Sequence, residues 1–313
     1  MTYRKKAAVL SVLVIVLALV YILTLVFDPG NRRSAAFAWL DPSLLVMADR
    51  IEIYGPGGRT SLSRKNNVWV FSTGIADYPA RQGRVEDLLL ALSRRGVYML
   101  RAASLEGRER LGLAEESASR ILVLGGAGLP LLDLFVGGGD ALGREVYLRM
   151  AGRNEIYSGE DRFTLYTDSR RGSWYDLRLF PQEARGIDPG MVQQAEIILP
   201  GNESAYVLRR GGGGWVILGN ESAGLDNPRV DSWLRSVLEA EGEDFSAEAP
   251  ASFEGSVILY LGDGTTRAIQ AGAADGQQRR SALVSGSSLV FVLAEWTVNR
   301  LFRESSYFLK ASQ

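Results

Sequence analysis

Residues 66–95 read NNVWVFSTGIADYPARQGRVEDLLLALSRR. A short apolar run around Trp69 passes through a turn into a segment with helical spacing from Arg84. Residues 213–218, GGWVIL, and 225–241, LDNPRVDSWLRSVLEAE, restate that pattern late in the chain. Trp69-Val70 returns as Trp215-Val216, and Arg84-Val85 as Arg229-Val230, with the spacing nearly kept. This reads as one strand–turn–helix module used twice.

The surroundings of the first copy extend it into a meander. Residues 50–54 alternate polar and apolar side chains, as a half-buried strand does. Gly55-Pro56-Gly57-Gly58 turns the chain, residues 60–63 lead back, and Asn66-Asn67 turn it again into a strand over 68–72. From Arg84 to Arg95, Val85, Leu88, Leu89 and Leu92 fall on one helical face. Glu86 and Asp87 near the start and Arg94-Arg95 near the end suit the helix dipole, with Gly96 as a stop. Residues 121–124, 131–136, 146–150 and 155–157 read as further strands, and 163–166 and 174–180 close the module.

The second copy follows the same order. Residues 195–201 echo 51–57, and 205–209 and 215–218 supply returning strands. Asn227-Pro228 reads as an N-cap followed by proline at the first helical position. The helix over 229–239 puts Val230, Trp233, Leu234, Val237 and Leu238 on its apolar face. VILYLG at 257–262 matches ILVLGG at 121–126, a hairpin over 281–293 turns at Gly286, and the tail over 299–309 compares with 174–180.

Ahead of both copies, residues 7–27 are uncharged and long enough to cross a bilayer core of ~30 Å as a helix. Arg4, Lys5 and Lys6 precede them, which puts the N-terminus in the cytoplasm and the rest of the chain outside it. A cleaved signal peptide is the rival reading, with Ala36-Phe37-Ala38 as a cleavage site. The apolar run exceeds the usual ~7–15 residues of a signal core, and two arginines intervene. Residues 35–40 either extend the anchor along the membrane surface, with Trp39 as an interfacial aromatic, or pack on the first module.

Composition narrows the chemistry. Hydrophobic residues make up 46% of the 313, which suits a folded chain, and the net charge of -1 gives no footprint for nucleic acid. The chain has no cysteine and no histidine. Thiol nucleophiles, disulfides, Ser-His-Asp triads and histidine metal sites are therefore excluded. Gly137-Gly138-Gly139-Asp140 and residues 211–214 lead into strands and lack the lysine of a phosphate loop, so both read as hairpin turns. Glu239, Glu241, Glu243, Asp244 and Glu248 lack the spacing of a calcium loop and read as a solvated stretch. Asn202-Glu203-Ser204 and Asn220-Glu221-Ser222 match the glycosylation pattern but read as turns. Arg94-Arg95 and Arg170-Arg171 read as solvated helix ends and loops, not as an anion site.

Residues 50–54, 68–71, Tyr78-Pro79-Ala80, 84–92, Leu111-Gly112-Leu113 and 174–180 occur in the order of a known family. In them the chain resembles a bacterial family defined by a domain of unknown function, four-three-four-zero in its catalogue name. The resemblance implies a membrane-anchored extracytoplasmic protein associated with ABC-transporter components of the gliding-motility type. It supplies no active-site residues.

The expected fold is α+β: an N-terminal transmembrane helix, then two tandem modules of antiparallel sheet with a packed helix. The layout is a cytoplasmic N-terminus and anchor over 1–28, a tether over 29–46, modules over 47–180 and 191–313, and a linker over 181–190. The expected function is that of a non-enzymatic accessory or scaffold protein of the bacterial inner membrane, with most of the chain periplasmic. Its expected partners are the membrane and a transporter permease or other envelope subunit, with no nucleic acid. No catalytic, cofactor or metal residue is assigned. The alternatives are a ligand-binding module with a cleft between the repeats and an envelope hydrolase using carboxylates alone.

Overall fold

A computed structural model describes residues 14–20, 34–104, 106–139, 142–180, 187–201 and 204–310. The chain divides into two compact units, one through Trp174 and one from Tyr175. The expected anchor over 7–27 lies outside the described residues except for 14–20. Those residues are helical, with Val14, Ile15, Val16, Leu17, Leu19 and Val20 all more than half exposed. Among the described residues no helix is long and apolar enough to cross a membrane.

The first unit is built on ten strands. They are β1 (Ser34–Phe37), β2 (Arg50–Gly55), β3 (Gly58–Lys65), β4 (Val68–Ser72), β5 (Asp77–Pro79), β6 (Gly96–Ala102), β7 (Ser119–Leu124), β8 (Pro130–Gly139), β9 (Glu145–Met150) and β10 (Ile156–Glu160). They form one sheet in the order β1-β6-β10-β9-β8-β7-β2-β3-β4-β5, antiparallel throughout. Helix α1 (Gln82–Ser93) follows β5, and the short α2 (Arg171–Trp174) ends the unit.

Helix α1 buries Val85, Leu88, Ala91, Leu92 and Ser93. Leu89 is only partly covered and Leu90 points to solvent, so the apolar stripe is narrower than its leucine content suggests. The helix ends at Arg94, whose extended backbone donates to the Leu90 carbonyl. Gly96 therefore does not stop the helix; it opens β6.

Residues 35–40 take the packed reading. β1 pairs with β6 at the sheet edge, and Trp39 and Leu40 are buried. Trp39 packs edge-on against Phe37 and Tyr98, at 4.9 and 5.0 Å between ring centroids, which removes it from any membrane-surface role.

The second unit has eight strands. They are β11 (Val192–Ile198), β12 (Ala205–Gly211), β13 (Gly214–Ile217), β14 (Asp244–Ser246), β15 (Phe253–Leu261), β16 (Thr266–Ala274), β17 (Arg280–Val284) and β18 (Val290–Leu293). Helix α3 (Asn227–Leu238) follows β13, and α4 (Glu295–Leu301) follows β18. Val230, Trp233, Leu234, Val237 and Leu238 are the buried side chains of α3, the face that its spacing predicts. Each contributes about 1.5–3 kcal/mol by leaving water. The Trp233 indole also donates to the Leu301 carbonyl at 3.0 Å, tying α3 to α4.

The cap of α3 sits one residue earlier than expected. Asp226 is the N-cap, its carboxylate accepting from the Arg229 N–H at 3.2 Å, and Asn227 is the first helical residue. The shift frees the Asn227 amide for a different task, described below. At the start of the unit, Leu179 donates to the Ala240 carbonyl at 2.9 Å, and Leu179 and Phe180 join the second core.

The two sheets share one plan. The second runs β13-β12-β11-β15-β16-β17-β18-β14. Within the first, β4-β3-β2-β7-β8-β9-β10-β6 is the same order with the same chain connections. In each, a strand made just after the helix is laid beyond the last strand of the meander. The first unit adds β5 at one edge and β1 at the other.

Local contacts repeat as well. Arg81, just before α1, donates its N–H to the Trp174 carbonyl at 2.9 Å, and Asp226, just before α3, does so to Phe308 at 2.9 Å. The Arg84 guanidinium stacks on Trp174 at 4.8 Å and donates to the Leu165 carbonyl. Arg229 stacks on Tyr307 at 5.7 Å and donates to the Tyr307 carbonyl at 2.9 Å. The recurring Arg-Val pair thus places one arginine on the closing segment and one valine in the core.

Candidate functional site

The shared scaffold directs attention to what the units do not share. In the first sheet Ile51, Ile53, Ile121, Val123, Leu134 and Leu148 point into the core. Strand alternation sends Tyr54, Arg59, Arg120, Phe135 and Arg149 to the opposite face. Register then aligns them. Tyr54 lies opposite Arg59 and Arg120, Arg120 opposite Phe135, and Phe135 opposite Arg149. The result is one straight row, Arg59–Tyr54–Arg120–Phe135–Arg149, crossing β3, β2, β7, β8 and β9.

Guanidinium and ring alternate along this row. Arg59 and Arg120 each sit 5.7 Å from the Tyr54 ring centre, and Arg120 lies 5.4 Å from Phe135. Arg149 lies 4.5 Å from the Phe135 ring centroid. Such contacts stabilise by about 0.5–1 kcal/mol when exposed and ~2 kcal/mol when desolvated.

Each cation also has a carboxylate. Arg59 donates to Glu52 at 2.7 Å, and the Tyr54 hydroxyl donates to the other Glu52 oxygen at 2.7 Å. Arg120 grips Asp133 with two bonds, 2.6 and 2.5 Å. Arg149 reaches Glu115 at 3.0 Å. Burial pushes the Glu52 carboxyl up, but the bonds from Tyr54 and Arg59 and the nearby guanidinium charges outweigh it and hold it below its ordinary range. The bonds to Glu52 and Asp133 raise Arg59 and Arg120 in turn.

Exposure falls along the row. The Arg59 side chain is 56% exposed and that of Arg149 only 2%. The buried end is covered by Leu113, which packs with Phe135 and Ile156 in a small separate cluster. The open end faces solvent as a flat array of arginine and tyrosine with its charges balanced. Chemically it is a rigid stacking and hydrogen-bonding surface, with no nucleophile paired to a base.

The motifs singled out in the sequence fall elsewhere. Gly137, Gly138 and Gly139 lie within β8, not in a hairpin turn. Gly137 and Gly138 let the Leu111–Leu113 segment come close: a Cβ on Gly137 would stand 2.4 Å from the Leu111 carbonyl oxygen. Gly211 and Gly214 flank the β12–β13 turn, as expected of a hairpin. Glu239 caps the end of α3, and Asp244 opens β14. Among the described residues no three carboxylates gather so as to hold a metal ion. Asn220 sits in a turn, donating its N–H to the Ile217 carbonyl at 3.0 Å, while Asn202 lies outside the described residues. Arg170 pairs with Asp168 at 2.7 Å.

Sequence reasoning missed the row because its members are scattered from Tyr54 to Arg149. The usable signal was a basic or aromatic residue at outward positions of successive strands, legible only once the register is known.

No curated protein and no solved structure matches the chain. The family described as Domain of unknown function (DUF4340) matches residues 69–293, one span from Trp69 in β4 to Leu293 in β18. That span takes in most of the chain and reaches across both units, so the chain belongs to this family.

Proposed function

We propose that the protein is a non-enzymatic accessory or scaffold subunit, anchored in the bacterial inner membrane by residues 7–27 with its bulk outside the cytoplasm. Its partner on this reading is the permease of an ABC-type transporter or another subunit of a gliding-motility-like envelope complex. The arginine–aromatic row is the observation that carries the proposal. Tyrosine and arginine dominate the binding energy of protein interfaces. A guanidinium already fixed by a ring and a carboxylate loses little freedom on docking. The apolar, exposed helix at 14–20 supports the anchor.

The test is co-purification of the full chain in mild detergent, beside the Tyr54→Ala/Arg59→Ala double variant. A permease or envelope subunit should accompany the wild type and be lost from the variant. Recovery of the wild type alone, or an unchanged partner with the variant, overturns the proposal.

A further inference from the structure

Beside the open end of the row, the first unit holds a cleft of about 420 Å³. Its lining includes Arg50, Arg59, Ser61, Ser63, Thr73 and Arg171. This volume lies within the about 300–1,000 Å³ typical of small-molecule sites. Arg59, Ser61 and Ser63 are alternate residues of β3 and so share a face, and Arg50 is the cross-strand partner of Ser63. Arg171 comes from α2, far along the chain, so the cleft exists only in the folded unit.

The three guanidiniums at this cleft have one carboxylate, Glu52, between them. Three guanidiniums line it and no carboxylate does. Glu52, the acid that Arg50 and Arg59 both approach, at 3.6 and 2.7 Å, is 5% exposed and already engaged by Tyr54. Among the described residues Arg171 has no ion pair, and the Ser61 and Ser63 hydroxyls have no hydrogen-bond partner. One unpaired guanidinium, two more that share a single acid, and spare hydroxyl donors suit a ligand that is negatively charged and rich in acceptors.

We infer that this cleft binds a phosphate-type oxyanion carried on a small polar body. The guanidiniums supply planar, forked donors for phosphate oxygens, and Ser61 and Ser63 add single donors from the sheet. A cation is repelled, and a neutral sugar would leave the arginine charge unanswered. The polar lining excludes an acyl chain from the cleft, though not a headgroup whose tails remain outside. The inference is independent of the docking role of the row: a ligand site here stands whether or not a protein partner binds.

Calorimetric titration of the full chain in an uncharged detergent tests it, with three probes. They are glycerol 3-phosphate, dihexanoyl phosphatidylglycerol below its micelle-forming concentration, and glycerol as the neutral control. Saturable binding of glycerol 3-phosphate is the expected result for a free phosphate ester. Binding of the lipid probe alone also supports the inference and assigns the oxyanion to a headgroup. In either case Arg171→Ala should weaken binding about tenfold or more, the loss of one charge-assisted contact. Because Arg171 anchors nothing else, its variant keeps the wild-type unfolding midpoint. Ser61→Ala/Ser63→Ala provides a second reading without changing charge and should weaken binding by a smaller factor. Silence with both phosphate probes, equal binding of glycerol, or affinities unmoved by either variant overturns the inference.

Discussion

Asn227 Oδ1 accepts a hydrogen bond from the backbone N–H of Trp215 at 2.7 Å. In the first unit Gln82 brackets Trp69 from both sides, its Oε1 accepting from the Trp69 N–H at 2.9 Å and its Nε2 donating to the Trp69 carbonyl at 2.7 Å. Each amide belongs to the first residue of its helix and satisfies the strand that carries the repeated tryptophan. Asn227→Ala should destabilise the protein by about 1–3 kcal/mol, because a part-buried N–H loses its acceptor. Urea denaturation should show a lower midpoint with an unchanged slope. Asn227→Gln should not restore it, since Gly214 already crowds the amide; a Cβ there would lie 2.3 Å from Asn227 Nδ2. An unaltered midpoint for Asn227→Ala would remove the bracket from the list of what joins helix to sheet.

The glycine runs separate by the space around them. A methyl on Gly137 would meet the Leu111 carbonyl oxygen at 2.4 Å and Leu113 Cγ at 2.8 Å, whereas one on Gly213 meets nothing within 4 Å. Gly137→Ala should cost about 1–3 kcal/mol by overpacking. Gly213→Ala should be neutral or stabilise by up to about 1 kcal/mol through the unfolded chain. Thermal unfolding of the pair decides the matter, and equal effects would refute the close-approach account.

Arg149 and Glu115 should respond asymmetrically. Arg149 is almost wholly buried, its Nε lacks a partner, and its Glu115 side chain partner is 55% exposed. Removing the acid strands a buried cation over Phe135, so Glu115→Ala should cost about 2 kcal/mol or more. Arg149→Met keeps the packing volume and leaves the acid in water, so it should cost less than about 1.5 kcal/mol. The reverse ranking in chemical denaturation would show that the ion pair does not govern this end of the row.

Acid should weaken the first unit through Glu52. Its carboxyl is held below the ordinary value of 4.5, so its contribution is complete above that pH and drains away as pH falls through the lowered folded value. Asp168 acts in the same direction from its ordinary 3.8, held down chiefly by the Arg170 guanidinium and, against burial, by the Ser173 hydroxyl. Glu52→Gln should flatten the acid limb of a stability–pH profile while lowering stability at neutral pH. A variant whose acid limb stays parallel to wild type would assign that slope to other groups.

Legibility followed the range of the interactions. The α3 face was readable because its five buried residues lie within one helix and differ sharply from the neighbouring Arg229, Asp231 and Arg235. The meander β2–β4 was readable because Asn66 and Asn67, both at positive φ, mark a tight turn between alternating runs. β6 was not, since Val97 and Met99 are apolar on the exposed side and blur the period of two. β16 was hidden by its alanines and glycine, which carry little strand propensity and are held by neighbours on both sides. The row and the cleft were least accessible, because each depends on pairings between strands far apart in sequence.

The placement of β6 and β14 bears on the order of events in folding. Each is synthesised before the four-strand meander that follows it, yet within that meander bonds only to the last strand, β10 or β18. Neither can take its place in the sheet before the last strand of that meander is available, and β1 must wait further because it pairs only with β6. Such distant pairings raise contact order and slow folding. The sheet margin on the N-terminal side is therefore the last part of the first unit to close, and in the nascent chain it stays open longest.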